Sequence, residues 1–348
     1  MIIHILIILI ALMFGDVGLT RSFQDNRSFL EETACFSSNY GEAREKFLAA
    51  SRAAGAELES FKNPFQGPDG EALYTDVVLL GAKDAETMLL LISGTHGVEG
   101  FTGSAIQTCL LRDGFDSDLK PDMGIVLIHA VNPYGFAYLR RFNEDNVDLN
   151  RNFVDHSKPY PANPGYDKLQ DAISPEHISS WKNAKSLFSI LRYRLQHGKT
   201  ALKKAISGGQ YTDPQGLFYG GNGETWSNTT IRAISARFLA QAKRIVVIDF
   251  HTGLGPYGNA EIIMNKKKSS PAYQRSVKWW GNRVKSTANA EAVSIHLETT
   301  LKLAVPKMLP DAEVTAVTLE FGTLPTLKAF WALRAENWLY HHGDKNTP

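Results

Sequence analysis

Six short runs rich in Val, Ile and Leu limit what this chain can fold into. Tyr74 to Leu80, Met88 to Ser93, Ile125 to Val131, Ile245 to Phe250, Glu261 to Met264 and Thr315 to Leu319 are bounded by Gly, Pro, Asn or Asp and read as strands. Runs this apolar lack the in-and-out alternation of a half-exposed strand, so they demand cover on both faces. Helical patterns between them supply it, as at Gly41 to Gly55, Gly103 to Arg112 and Thr229 to Ala242. The expectation is an α/β domain whose sheet has parallel strands at its centre and helices on both sides. Such folds place their chemistry at the C-terminal ends of strands.

Composition narrows the function classes. The chain has 348 residues, 43% hydrophobic and 21% charged, which excludes disorder and leaves ample core. Its 37 Lys and Arg against 36 Asp and Glu remove the electrostatic reason to expect nucleic acid or an acidic membrane surface as the principal partner. Any charge-driven binding must be local. Cys35 and Cys109 are too few for a disulfide framework or a thiolate zinc site, so His and carboxylates would have to hold a metal.

Residues 1–20 read as a signal peptide or an apolar extension. Met1 to Phe14 is almost wholly apolar and falls short of the ~20 residues that span a bilayer. Export, to the periplasm or outside the cell, is the expectation. No Lys or Arg precedes the run and no small-x-small cleavage site follows before Arg21, so a misassigned start or a buried terminal strand, with a cytoplasmic location, stays open. Asn26 and Asn228 stand in glycosylation sequons, which matter only after export by a eukaryote. Residues 21–348 then form one domain.

Within that domain the texture changes over residues 154–226. Pro159, Pro161, Pro164, Pro175 and Pro214 and a cluster of glycines frame a helical stretch near Glu176 to Ile206. From His177 to Thr212 there is no Asp or Glu, while Lys182, Lys185, Arg192, Arg194, Lys199, Lys203 and Lys204 are all basic. The expectation is a helical insertion with a solvated basic face, preferred over a dedicated anionic-partner site. Part of it is expected to lie over the cleft.

Chemistry gathers where strands end. Met88 to Ser93 runs into Gly94-Thr95-His96-Gly97-Val98-Glu99-Gly100, where an imidazole and a carboxylate three residues apart can aim at one point. The strand before Asp249-Phe250-His251-Thr252-Gly253 offers a second His, with Asp249 on the same face to orient it. Two His and one Glu leave the fourth position of a tetrahedral zinc open for water, as in catalytic sites. Glu320 closes the Thr315 to Leu319 strand before Phe321-Gly322 and suits a general base. Arg140-Arg141-Phe142-Asn143 and Asp148-Leu149-Asn150-Arg151-Asn152-Phe153 add arginines able to bind a carboxylate bidentately or steady an oxyanion.

In this order the motifs resemble the zinc carboxypeptidase superfamily, the carboxypeptidase A type with its succinylglutamate desuccinylase and aspartoacylase relatives. The resemblance rests on H-x-x-E at His96 and Glu99, N-P-x-G at Asn132 to Gly135, R-x-N at Arg141, D-L-N-R-N-F at Asp148, His251 and Glu320, and it spans about Tyr74 to Phe330. T-H-G-V-E-G with D-F-H-T-G-L-G looks like a little-characterised, bacterial-type carboxypeptidase-like branch. The resemblance implies a single domain with a mixed, centrally parallel sheet and one zinc ion per chain on His96, Glu99 and His251. It makes Glu320 the general base, Arg141 the oxyanion partner, and Asn150 and Arg151 the grip on a terminal carboxylate. Arg140 has no such match and is expected to be a surface or structural charge.

The implied activity is hydrolysis of an amide bond next to a free carboxylate, in a peptide or an acylated amino acid, without nucleic acid and without a stable membrane span. Two alternatives stand beside it: an N-acyl-amino-acid deacylase and a non-catalytic carboxylate-binding module. Only 28 residues follow Glu320, mostly one helical pattern, where the deacylase relatives add a β-rich domain, so the peptidase-like architecture is preferred. The superfamily's substrate-capping Tyr is missing from Ala292 to Pro310. Tyr219 or Tyr257 would have to replace it. His129 is expected to be a satisfied core histidine.

Overall fold

The computed structural model describes residues 33–117 and 119–343, so the apolar N-terminal stretch and Asn26 lie outside the described residues. Asn39 caps helix α1 (Tyr40–Ala53) by accepting the Glu42 N–H. A hairpin of β1 (Glu57–Gln66) and β2 (Ala72–Gly81) follows, then β3 (Thr87–Ile92), α2 (Gly100–Arg112) and β4 (Met123–His129). Two short helices, α3 (Pro133–Ala137) and α4 (Leu149–Asn152), carry the chain to α5 (Pro164–Ile173) and α6 (Ser180–Ser207). Helix α7 (Trp226–Phe238) returns it to β5 (Arg244–Leu254). The described part ends with β6 (Ala260–Met264), α8 (Pro271–Trp280), β7 (Val284–Ser286), α9 (Leu301–Met308), β8 (Glu313–Leu324) and α10 (Thr326–His342).

The strands make one mixed sheet in the order β1-β2-β4-β3-β5-β8-β6-β7. Its centre, β4-β3-β5-β8, is parallel, while β1, β2 and β6 pair antiparallel with their inner neighbours. This is the α/β architecture expected from the apolar runs. Alternate residues feed two cores: Leu89, Leu91, Val246, Ile248 and Val317 pack under α1, α2 and α8, and Leu90, Ile92, Ile245 and Val247 pack under α7 and α9. Asp249 and His251 continue the second set, so the polar groups leave the sheet on the α7 and α9 side.

Residues 154–226 build a third core from Tyr166, Leu169, Ile173, Ile190 and Leu217 against Phe142 and the α10 residue Phe330. The helical stretch expected near Glu176 to Ile206 is α6, interrupted at Gly198, whose φ is +86°, and a further helix, α5, precedes it. Two strands escaped the sequence pattern. β1 is a mostly exposed edge containing Pro64, and β7 has three residues. The two cysteines, expected only to be too few for a framework, form one bridge between Cys35 and Cys109, 74 residues apart. Closing a loop of that length removes about 4 kcal/mol of freedom from the unfolded chain.

Candidate metal centre and active site

β3 positions the first two groups. Past its end, Gly94 takes a φ of +70°, and a Cβ there would stand 3.0 Å from the Ala130 Cα, so glycine lets the chain turn against its neighbour. His96 then precedes a 3-10 turn, Gly97–Glu99, that runs into α2. The turn lies against the loop around α3. The Gly97 and Val98 N–H groups donate to the Arg141 and Arg140 carbonyls at 3.3 and 2.8 Å, and a Cβ on Gly97 would fall 2.0 Å from the Gly135 carbonyl carbon.

β5 and β8 position the others. Thr318 pairs with Asp249 and Glu320 with His251, and paired residues on neighbouring strands project to the same side. His96 Nδ1 lies 2.8 Å from Glu99 Oε1 and 3.1 Å from His251 Nδ1, which lies 2.9 Å from Glu99 Oε2. In a tetrahedron with bonds of roughly 2.1 Å the ligand atoms stand about 3.4 Å apart, so this spacing suits one divalent ion with a small opening of the triad. His251 Nε2 meets Asp249 Oδ2 at 2.7 Å, and His96 Nε2 faces Asp148 Oδ1 at 3.3 Å. Thr95 Oγ1 in turn donates to Asp249 Oδ1 at 2.8 Å. A buried carboxylate behind each ring favours the tautomer that leaves Nδ1 free to ligate.

Arg141 closes the cluster. It donates to Asp148 Oδ2 and Glu99 Oε1, both at 3.1 Å, and its Nη2 comes within 2.9 Å of His96 Nε2. That last contact holds only while Nε2 is bare. Protonating it, as a ligating Nδ1 requires, leaves the guanidinium to the carboxylates or to a substrate oxygen.

The electrostatics are those of a dense, dry cluster. Burial works to raise Glu99, but His96 and His251 hold its carboxyl well below the usual range. Burial likewise opposes the His251 imidazolium, yet Asp249 and Glu99 push that group up to about 10. Asp148, buried but flanked by Arg141 and Arg151, is held low. Glu320 differs: burial and the nearby Glu99 charge raise it, while its Oε1 accepts the Leu254 N–H at 3.0 Å.

Asn150 and Arg151 are both buried. Asn150 Nδ2 reaches within 3.4 Å of His96 Nε2, while its Oδ1 accepts the Leu301 N–H at 3.0 Å. Arg151 donates to the Asn150 and Ser207 carbonyls at 3.3 and 2.5 Å, and its Nε has no partner. The Phe218 ring, from the segment expected to cover the cleft, lies 5.5 Å from Arg141 Cζ and 5.6 Å from Arg151 Cζ. Arg140 is turned away, salt-bridged to Glu336 at 2.6 Å and stacked under Tyr340. It is therefore a buried structural charge, not a surface one.

Tyr219 is buried and Tyr257 exposed. His129 is a core residue with Ser104 on its Nε2 at 2.9 Å. Asn228 is fully buried and bonded to Asn152, so its sequon is inaccessible in the folded chain.

Sequence reasoning missed Lys302. From α9 its Nζ donates to Thr318 Oγ1 at 2.6 Å and to the Ile263 carbonyl at 3.2 Å, and burial pulls it down to about 8 against the pull of Asp249 and Glu320. A lysine inside the apolar helix Leu301-Lys302-Leu303-Ala304-Val305 was the available signal. Asp148 and Thr95 stood in the quoted motifs, but their contacts span 52 and 154 residues and were invisible in the spacing.

The family model described as "Protein of unknown function (DUF2817)" matches residues 36–348. No curated protein matches the chain in sequence. Among solved structures, carboxypeptidase A from Helicoverpa armigera is similar with a TM-score of 0.50 at 12% identity, over 97% of this chain and 81% of that one. Bovine thrombin-activatable fibrinolysis inhibitor is similar at 0.48 and 13%, over 90% and 98%. A succinylglutamate desuccinylase/aspartoacylase from Rhodobacter sphaeroides follows at 0.37 and 15%, over 84% and 67%. The carboxypeptidase A fold implied by the motifs is the fold observed, and by its family match over nearly the whole chain the protein belongs to the family "Protein of unknown function (DUF2817)".

Proposed function

We propose that this protein is a metal-dependent hydrolase that cleaves an amide bond beside a free carboxylate. One observation carries the reading: two imidazole Nδ1 atoms and the Glu99 carboxylate converge, with Glu320 in register on the next strand. His96, Glu99 and His251 would hold one zinc ion per chain, since two nitrogens and a carboxylate are the donors of open, catalytic zinc sites. When bound, the ion supplies the Lewis acidity that polarises the scissile carbonyl and acidifies water.

The chain's own residues do the rest. Glu320, raised by its burial, takes the proton of the attacking water and returns it to the leaving nitrogen as the amide bond breaks. Arg141, kept cationic by Asp148 and Glu99 despite burial, turns its guanidinium to the carbonyl oxygen as negative charge builds there. Arg151 Nε, buried without a partner, and the neighbouring Asn150 amide are the donors left for the substrate's carboxylate. Phe218 keeps water from the two guanidinium groups.

The test is hydrolysis of parallel panels of dipeptides and N-acyl-amino acids, with and without a chelator. Turnover that the chelator abolishes and zinc restores is expected, with Glu320→Gln lowering kcat by about 10³ at unchanged metal content. Turnover of N-acyl-amino acids alone would shift the assignment to the deacylase reading. No chelator-sensitive turnover on either panel would leave a carboxylate-binding module.

Residues 21–348 would form one catalytic domain with 154–226 inserted. The Cys35–Cys109 bridge supports export to an oxidising compartment. An intact Met1 in the mature protein would overturn that assignment.

A further inference from the structure

The limb of α6 before Gly198 has two apolar faces, and among the described residues only one is packed. Ser186 and Ile190 point inward, and the α10 residue Arg334 secures that side by donating to Asn183 Oδ1 at 2.9 Å and Ser186 Oγ at 3.1 Å. On the other side Trp181, Phe188, Leu191 and Leu195 are 78%, 66%, 46% and 88% exposed. Their spacing of seven, three and four residues sets them in one stripe. At 1.5 Å per residue the stripe runs roughly 21 Å along the helix. A soluble protein rarely leaves so long a row of large apolar side chains in water without a use for it.

The charges around the stripe choose its occupant. Lys185 and Arg192 are exposed four residues, about one turn, after Trp181 and Phe188, and no Asp or Glu occurs from His177 to Thr212, where seven Lys and Arg lie. A second copy of the chain would bring the same cations against these and be repelled. An anionic bilayer satisfies both sets: Trp, Phe and Leu enter the boundary between headgroups and acyl chains while Lys and Arg meet the phosphates. We propose that this face of α6 lays the protein on an anionic phospholipid surface. The helix lies in the interface and does not cross it, since no helix among the described residues is long and apolar enough to span a membrane. Beyond the break at Gly198, the second limb of α6 ends at Ser207, whose carbonyl accepts from the Arg151 guanidinium at the wall of the site.

The experiment is co-sedimentation of the full chain with vesicles of equal parts phosphatidylglycerol and phosphatidylcholine, and with phosphatidylcholine alone. Binding to the first and not the second is expected, weakening with salt. The triple variant Trp181→Ser, Phe188→Ser, Leu195→Ser should bind about tenfold more weakly or worse, and Lys185→Glu with Arg192→Glu should do the same. All five positions are exposed, so melting temperature and metal content should match wild type and show that the fold is intact. Absence of binding to anionic vesicles, or binding that the triple variant retains, would overturn the proposal. A dimer in sedimentation velocity that the triple variant abolishes, without vesicle binding, would give the face to a second copy instead.

Discussion

At the scale of single residues, what stands behind an imidazole decides what it can do. His96 and His251 each have a buried aspartate on Nε2, whereas His129, equally buried, has the Ser104 hydroxyl there and stacks on Phe47 at 4.5 Å. Burial drives His129 from 6.5 down to about 4, with Arg44 acting the same way and Asp76 opposing. The unfolded chain therefore takes up a proton near pH 6.5 that the folded chain refuses until about pH 4, and stability falls as pH drops through that window. His129→Gln keeps a partner for Ser104 and cannot charge. Denaturant titrations at stepped pH should show the variant's curve flatter by about 3 kcal/mol across the window, and a slope equal to wild type would contradict this. That His96, Glu99 and His251 come together, with Glu320 paired beside His251, was legible from the chain, because His96 and Glu99 follow β3 into a turn while His251 and Glu320 stand near the C-terminal ends of β5 and β8. The fates of Arg140 and Arg141 were not separable by adjacency alone. Arg140 is claimed by Glu336 and Tyr340, about two hundred positions away.

At the scale of elements, the site depends on how closely two turns approach. Gly97 lies where any side chain would strike the Gly135 backbone, so the turn that carries Glu99 can rest on the α3 loop only with glycine there. Gly97→Ala should push the turn off that loop, cut zinc affinity and kcat/KM by about tenfold or more, and lower the melting temperature. Unchanged metal affinity in a folded variant would show that the contact does not position the ligands. Strands buried on both faces announce themselves, and their ends were placed within a few residues except where β5 and β8 run on past the cores into the site. β1 and β7 were not legible because edge pairing, which needs a partner strand, makes them strands at all.

At the scale of the whole molecule, the crossing order of the sheet brings together residues separated by more than two hundred positions. β3, β5 and β8 are neighbours in the sheet, and their C-terminal ends alone supply both histidines and the two glutamates. Parallel pairing was implied by helices between apolar runs, but neither the strand order nor the Cys35–Cys109 bridge follows from local pattern. The insertion's wall over the arginines likewise depends on packing against α10, an element from the other end of the chain. The central claim is that these distant groups share a single ion, and anomalous diffraction at the zinc edge from crystals of the zinc-loaded protein measures it directly. One peak per chain about 2.1 Å from His96 Nδ1, His251 Nδ1 and a Glu99 oxygen is expected, lost in His251→Ala and kept in Glu320→Gln. A peak elsewhere, or none at these three residues with zinc in excess, would contradict it.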